Sequence, residues 1–122
     1  MDDKRLGILI VDDDELVVRA TRRFLNAAYR VRTATDALNA MRECAIEVPN
    51  VVISDLDMLP VLTRIHREHP SVRRVIYSGS RSEFLGELVQ TGVADAAASK
   101  PATLEQLKQA IEGYPTERPS RP

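Results

Sequence analysis

A chain of 122 residues is one domain's worth, long enough to bury a single core and too short for two. Seventeen basic and eighteen acidic side chains leave a formal charge of -1, so no net field favours nucleic acid or anionic lipid. The longest apolar run, Ile8 to Val11, is far below a membrane span, and a start carrying Asp2 and Asp3 is unlike a signal peptide, so a cytoplasmic protein is expected. The single Cys44 has no partner for a disulfide or a CxxC motif and reads as a small hydrophobe on a helix in a reducing compartment.

In chain order, residues 6–11 are apolar without alternation, as a strand buried on both faces of a parallel sheet should be. Leu16, Val17, Ala20, Phe24 and Ala27 then recur at the spacing that gathers apolar side chains on one helix face. A weaker strand is predicted over 30–34, followed by a helix carrying Leu38, Met41, Cys44 and Ala45. Residues 51–54 repeat the unbroken apolar pattern, and the helix predicted over 59–69 carries Leu62, Ile65 and His69. Two more strands are read at 72–77 and 94–99, with helices marked by Phe84, Leu85, Leu88 and Val89 and by Leu104, Leu107 and Ile111. Five βα units in a row imply an open parallel sheet covered by helices on both sides, because parallel neighbours need right-handed crossovers. The domain is expected over 1–113. The tail 114–122, with three prolines in its last eight residues, should be an extended, mobile end.

The residues that follow the strands are more specific. Strand one ends in Asp12, Asp13 and Asp14, strand three in Asp55, strand four in Ser78, and strand five in Lys100 followed by Pro101. All lie at carboxyl ends of strands, on the sheet edge where open α/β folds bind ligands. Two carboxylates about 5 Å apart repel by roughly 3 kcal/mol at an effective dielectric near 20, so such a cluster calls for a cation. An oxygen-only set without histidine or thiol suits Mg²⁺. Asp55 can then present one oxygen to the metal and the other to a phosphorus atom, with Lys100 neutralising the phosphoryl oxygens and Ser78 hydrogen-bonding one of them.

Over about residues 5 to 113 the sequence resembles the receiver domains of two-component response regulators. The segments that carry the likeness are "ILIVDDDE", "YRVRTATDALNAM", "VVISDLDM", "VIYSGS" and "SKPATLEQL". The resemblance implies a flavodoxin-like (CheY-like) doubly wound α/β fold with strand order 2-1-3-4-5 and five helices. It also implies Mg²⁺-dependent transfer of a phosphoryl group to Asp55 from a sensor histidine kinase or phosphotransfer protein. The metal would be held by Asp13, Asp55 and the main chain at Asp57, with Asp12 acting through water. Slow self-hydrolysis follows, so the domain catalyses only its own phosphorylation and dephosphorylation. A downstream effector protein, or a second copy in a homodimer, would read the face made by the fourth helix, fifth strand and fifth helix, without direct contact to nucleic acid or membrane.

Three features depart from the family pattern. The loop after the phosphoacceptor is several residues short, since Met58 leads almost directly into a helix with Pro60 in its first turn. The fifth-strand position that usually carries an aromatic switch residue is Ala97. The stretch from Gly92 to Lys100 is one residue longer than usual.

Two other readings compete. A haloacid-dehalogenase-like phosphatase would use Asp55 as nucleophile and Asp57 as general acid/base, but its final acidic pair should follow the lysine, and here the pair is Asp12 and Asp13. A phosphorylation-independent pseudo-receiver would keep the fold as a binding module. Among single residues, Asp14 is expected to cap the first helix. His66 and His69 read as a solvated helix end, Tyr77 as core or rim packing or else a substitute for the aromatic missing at Ala97, and Arg19, Arg22, Arg23 and Arg30 as a solvated face.

Overall fold

The computed structural model describes residues 4–113, and the expected tail lies outside them. Five parallel strands form one sheet in the order β2-β1-β3-β4-β5, as predicted. They are β1 (Gly7–Val11), β2 (Arg30–Ala34), β3 (Val51–Ser54), β4 (Arg73–Ser78) and β5 (Ala96–Ser99). Helices α1 (Glu15–Leu25), α2 (Ala37–Ile46), α3 (Leu59–Glu68), α4 (Ser82–Gln90) and α5 (Leu104–Glu112) alternate with them. Among the described residues no helix is long and apolar enough to cross a membrane.

The central strands are buried on both faces. Leu9, Val11, Val52 and Ile76 face a layer built from α2, α3 and α4, through Ala40, Cys44, Leu62, Ile65 and Leu85. Ile8, Ile10, Ile53 and Val75 face α1 and α5, through Val18, Leu25, Leu107 and Ile111. Each fully buried Ile or Leu contributes about 1.5–3 kcal/mol, which explains why β1 and β3 lack any polar alternation.

The helix faces are less simple than their spacing suggests. α1 buries Val18, Thr21 and Leu25, whereas Leu16, Ala20, Phe24 and Ala27 are exposed. The helix carries two stripes, and a threonine marks the buried one. Its hydroxyl donates to the Val17 carbonyl at 2.8 Å, so burial leaves no polar group unsatisfied. In α2 the buried pair is Ala40 and Cys44, with Met41 half-buried, while Leu38 and Ala45 are exposed. Phe84 of α4 is also largely exposed, and Leu85 is the residue of that helix that enters the core.

Cys44 is a core residue, as expected. Burial pushes its thiol up from the ordinary value, against the opposing pull of Arg32, which keeps it protonated and inert. Arg30 belongs to no solvated face. It pairs with Glu47 at 3.1 Å and donates through Nε to the Arg5 carbonyl, while Arg32 reaches Glu43 at 2.9 Å, so both arginines brace the edge strand β2 against α2.

β5 begins two residues later than predicted because the chain is still turning out of α4. The amides of Val93 and Ala94 both donate to the Leu88 carbonyl, and Gly92 takes φ 84°. This turn is held by Arg74 on β4, whose side chain is 9% exposed. Its guanidinium donates to the carbonyls of Gly92 and Val93 at 3.1 and 2.9 Å and to Asp95 at 3.3 Å. Burial works against the Asp95 charge, but the main-chain and side-chain bonds from Arg74 outweigh it and hold this carboxyl below its ordinary range.

Candidate functional site

The sheet ladder delivers the aspartates. β1 and β3 pair with Val11 beside Ser54, and the pairing runs one residue further, since the Asp55 amide donates to the Val11 carbonyl and the Asp12 amide to the Ala34 carbonyl, both at 3.2 Å. Asp12 and Asp55 therefore leave adjacent strands at the same level. Asp13 follows at the rim and is exposed. Asp14 caps α1, accepting from Leu16 at 3.0 Å and Val17 at 3.4 Å, and its own amide donates to Asp12 Oδ1 at 3.0 Å. One acid of the three is thus spent on the helix end, as its position suggested.

β4 and β5 supply the other chemistry. Ser78 is 4% exposed, and its hydroxyl oxygen accepts from the Ser80 amide at 3.2 Å. The Lys100 amide donates to the Ser78 carbonyl at 2.7 Å, fixing the end of β5 to the end of β4. The Lys100 side chain turns back across the crevice, where Nζ stands 3.2 Å from Asp12 Oδ2 and 3.7 Å from Asp55 Oδ1.

Asp12, Asp13 and Asp55 each offer a carboxylate oxygen within 4.8 Å of the others. They form the one such group of three or more His, Cys, Asp or Glu among the described residues, so His66 and His69 join no metal cluster there. The donor set is oxygen alone, and three carboxylates face one ammonium. Among the described residues Lys100 offsets part of the mutual repulsion, and a hard divalent cation is the species that fits the rest.

The short connection after Asp55 has a definite form. A single 3-10 turn, Leu56–Met58, is closed by the Met58 amide donating to the Asp55 carbonyl at 3.0 Å and runs straight into α3, with Pro60 at its start. α3 ends at Glu68, and His69 is its cap. Met58, Val61 and Leu62 enter the core, so this short connection is packed. The Asp57 carboxylate is exposed and stands outside the group of three.

Ala97 is half-buried and borders a groove of about 440 Å³ between α4 and β5, together with Leu85, Gly86 and Val89. Tyr77 lies on the other side of the sheet, packed on the α1 and α5 layer. Sequence reasoning missed its contact with the site, the Lys100 ammonium standing 5.4 Å from the ring centroid. Adjacency to Ser78 was the signal available, and it pointed to packing or to a substitute for the aromatic missing at Ala97, with no link to Lys100.

The family model for the response regulator receiver domain matches residues 8–112. The chain belongs to that family. This decides against the phosphatase reading of Asp55 and Asp57. Among curated relatives, the nitrogen assimilation regulatory protein NtrX of Azorhizobium caulinodans is 40% identical over 80 residues, covering 59% of this chain and 18% of the relative. The probable C4-dicarboxylate response regulator DctR of Bacillus subtilis is 27% identical over 120 residues, covering 91% of this chain and 53% of the relative. The chain thus spans about half of one relative and less than a fifth of the other. Among solved structures, NtrX from Brucella abortus is 28% identical with a TM-score of 0.77, covering 89% of this chain and 26% of that one. A receiver domain protein from Methanospirillum hungatei, 24% identical over 90% of this chain and 93% of its own, has a TM-score of 0.76 and supports the fold. Receiver domains are signalling modules that work between a histidine kinase and an effector.

Proposed function

We propose that this receiver domain, over residues 1–113, accepts a phosphoryl group on Asp55 from the phosphohistidine of a sensor kinase or phosphotransfer protein in the cytoplasm, and signals through protein contact. The observation that carries the reading is the imbalance at the sheet edge: Asp12, Asp13 and Asp55 within 4.8 Å, with Lys100 the one cation paired to them among the described residues. A divalent cation would cancel that excess, and the all-oxygen donor set suits Mg²⁺. Asp13 and Asp55 would hold it directly and Asp12 through water, with the main-chain carbonyl at Asp57 as a further ligand. Pro60 has no N–H, so the short-range bond that would otherwise occupy the Asp57 carbonyl cannot form. Bound there, Mg²⁺ supplies charge neutralisation for the phosphoryl oxygens.

The protein's own groups do the rest. An Asp55 carboxylate oxygen attacks phosphorus, and the phosphohistidine nitrogen leaves. Lys100, already 3.7 Å from Asp55, moves its ammonium from carboxylate to phosphoryl oxygen. Ser78, tied to Lys100 through the main chain, donates its hydroxyl to a second oxygen. The face made by α4, β5 and α5, with a groove where Ala97 replaces an aromatic, is where an effector or a second copy would dock.

Incubation with Mg²⁺ and acetyl phosphate or beryllofluoride, followed by amide shifts, tests this. Saturable changes around Asp55, Ser78 and Lys100 that vanish in Asp55→Asn are expected. No response at millimolar donor would leave the pseudo-receiver in its place.

A further inference from the structure

Lys100 has a fourth neighbour that the phosphoryl chemistry does not require. Its ammonium lies 5.4 Å from the centre of the Tyr77 ring, inside the range in which a cation is attracted to an aromatic face. The same tyrosine accepts at its hydroxyl oxygen from the Ala102 amide, at 3.4 Å, two residues beyond Lys100. Ring and hydroxyl thus contact the two ends of the Lys100–Pro101–Ala102 turn. Tyr77 is half-buried, and its inner side packs on the layer of α1 and α5, which restricts its freedom to move away. Lys100, by contrast, is a four-carbon chain with a quarter of its side-chain surface exposed, and it loses considerable rotamer entropy when held in one place.

Taken with the proposed role of Asp55, on which this inference rests, we propose that Tyr77 is a positioning residue for Lys100. It holds the ammonium over Asp12 and Asp55 before the phosphoryl group arrives. The ring restricts the lysine to the crevice side of the turn, and the hydroxyl fixes the turn itself. The lysine can then pass to a phosphoryl oxygen by a short shift instead of a search among rotamers. A side chain facing away from the phosphoryl group thereby enters the site through another residue.

Three replacements at Tyr77 separate ring, hydroxyl and volume: Tyr77→Phe, Tyr77→Leu and a ring-fluorinated phenylalanine, which keeps the shape and weakens the attraction for a cation. Two quantities are read on folded protein, the rate of phosphorylation by acetyl phosphate with Mg²⁺ and the NMR shifts of the Lys100 side-chain methylene protons without any donor. The expected result is a rate about three- to fivefold lower in Tyr77→Leu, a smaller loss with the fluorinated ring, and recovery of most of it in Tyr77→Phe. The Lys100 protons should lie upfield in the wild type and in Tyr77→Phe and move downfield in Tyr77→Leu. Equal rates across the series, or Lys100 shifts indifferent to the ring, overturn the proposal. If Tyr77→Leu does not fold, the fluorinated ring decides alone. A wild type that ignores acetyl phosphate would defeat the role given to Asp55, while the donor-free Lys100 shifts would still decide the contact with Tyr77.

Discussion

Two of the charged clusters on this sheet are built on opposite plans. At the carboxyl edge, Asp12, Asp13 and Asp55 cluster, and the Lys100 ammonium pairs with Asp12 and Asp55. At the other end of β4, Arg74 meets Asp95 and two main-chain carbonyls, so its donors find partners on every side. The saturated cluster holds a turn and has no reason to bind anything. The unbalanced one keeps an excess of negative charge that Lys100 offsets only in part, and a divalent cation can offset the rest. Both are partly buried charge, and the degree of compensation tells them apart.

That contrast can be broken by substitution. The largest effect is expected for Asp55→Asn, which should abolish phosphoryl acceptance altogether, read as loss of the acetyl phosphate reaction, while the protein stays folded. Arg74→Met should leave the Asp95 carboxylate and the carbonyls of Gly92 and Val93 without donors. Unfolding in urea should show a loss of roughly 2–4 kcal/mol, below the full value for a buried pair because Asp95 is 38% exposed. Asp13→Asn should act with the opposite sign. In the absence of divalent cation it relieves repulsion and stabilises by roughly 1 kcal/mol, and calorimetry with and without Mg²⁺ should show the gain turn into weaker metal-linked stabilisation.

The smallest effect concerns acid. Asp95 is held below its ordinary carboxyl value of 3.8, so its contribution is complete above that pH and is lost as pH falls through the lower native value. Asp95→Asn should therefore flatten the low-pH limb of the stability curve relative to wild type. An unchanged limb would mean that other carboxylates govern acid unfolding.

Much of the candidate site was legible in the chain. Asp12, Asp13 and Asp55 were readable because unbroken apolar runs fix where β1 and β3 end, and a residue just past a buried strand must emerge at the sheet edge. Lys100 was readable from Lys-Pro after the last strand. Asp14 was readable as a cap from its place before the first helical turn, the need for right-handed crossovers gave an open parallel sheet, and the family resemblance supplied its strand order. The burying face of α1 was not, since Leu16, Ala20 and Phe24 form as good a stripe as Val18, Thr21 and Leu25.

Local pattern thus determined the elements, their order and the set of acids at one edge, because period and strand ends are properties of consecutive residues. The tertiary structure decided which stripe of α1 is buried, how Arg74 holds the turn before β5, and that Tyr77 meets Lys100 although 23 positions separate them. Each of these depends on what lies across the sheet or turn, and a distance through space leaves no period in the sequence.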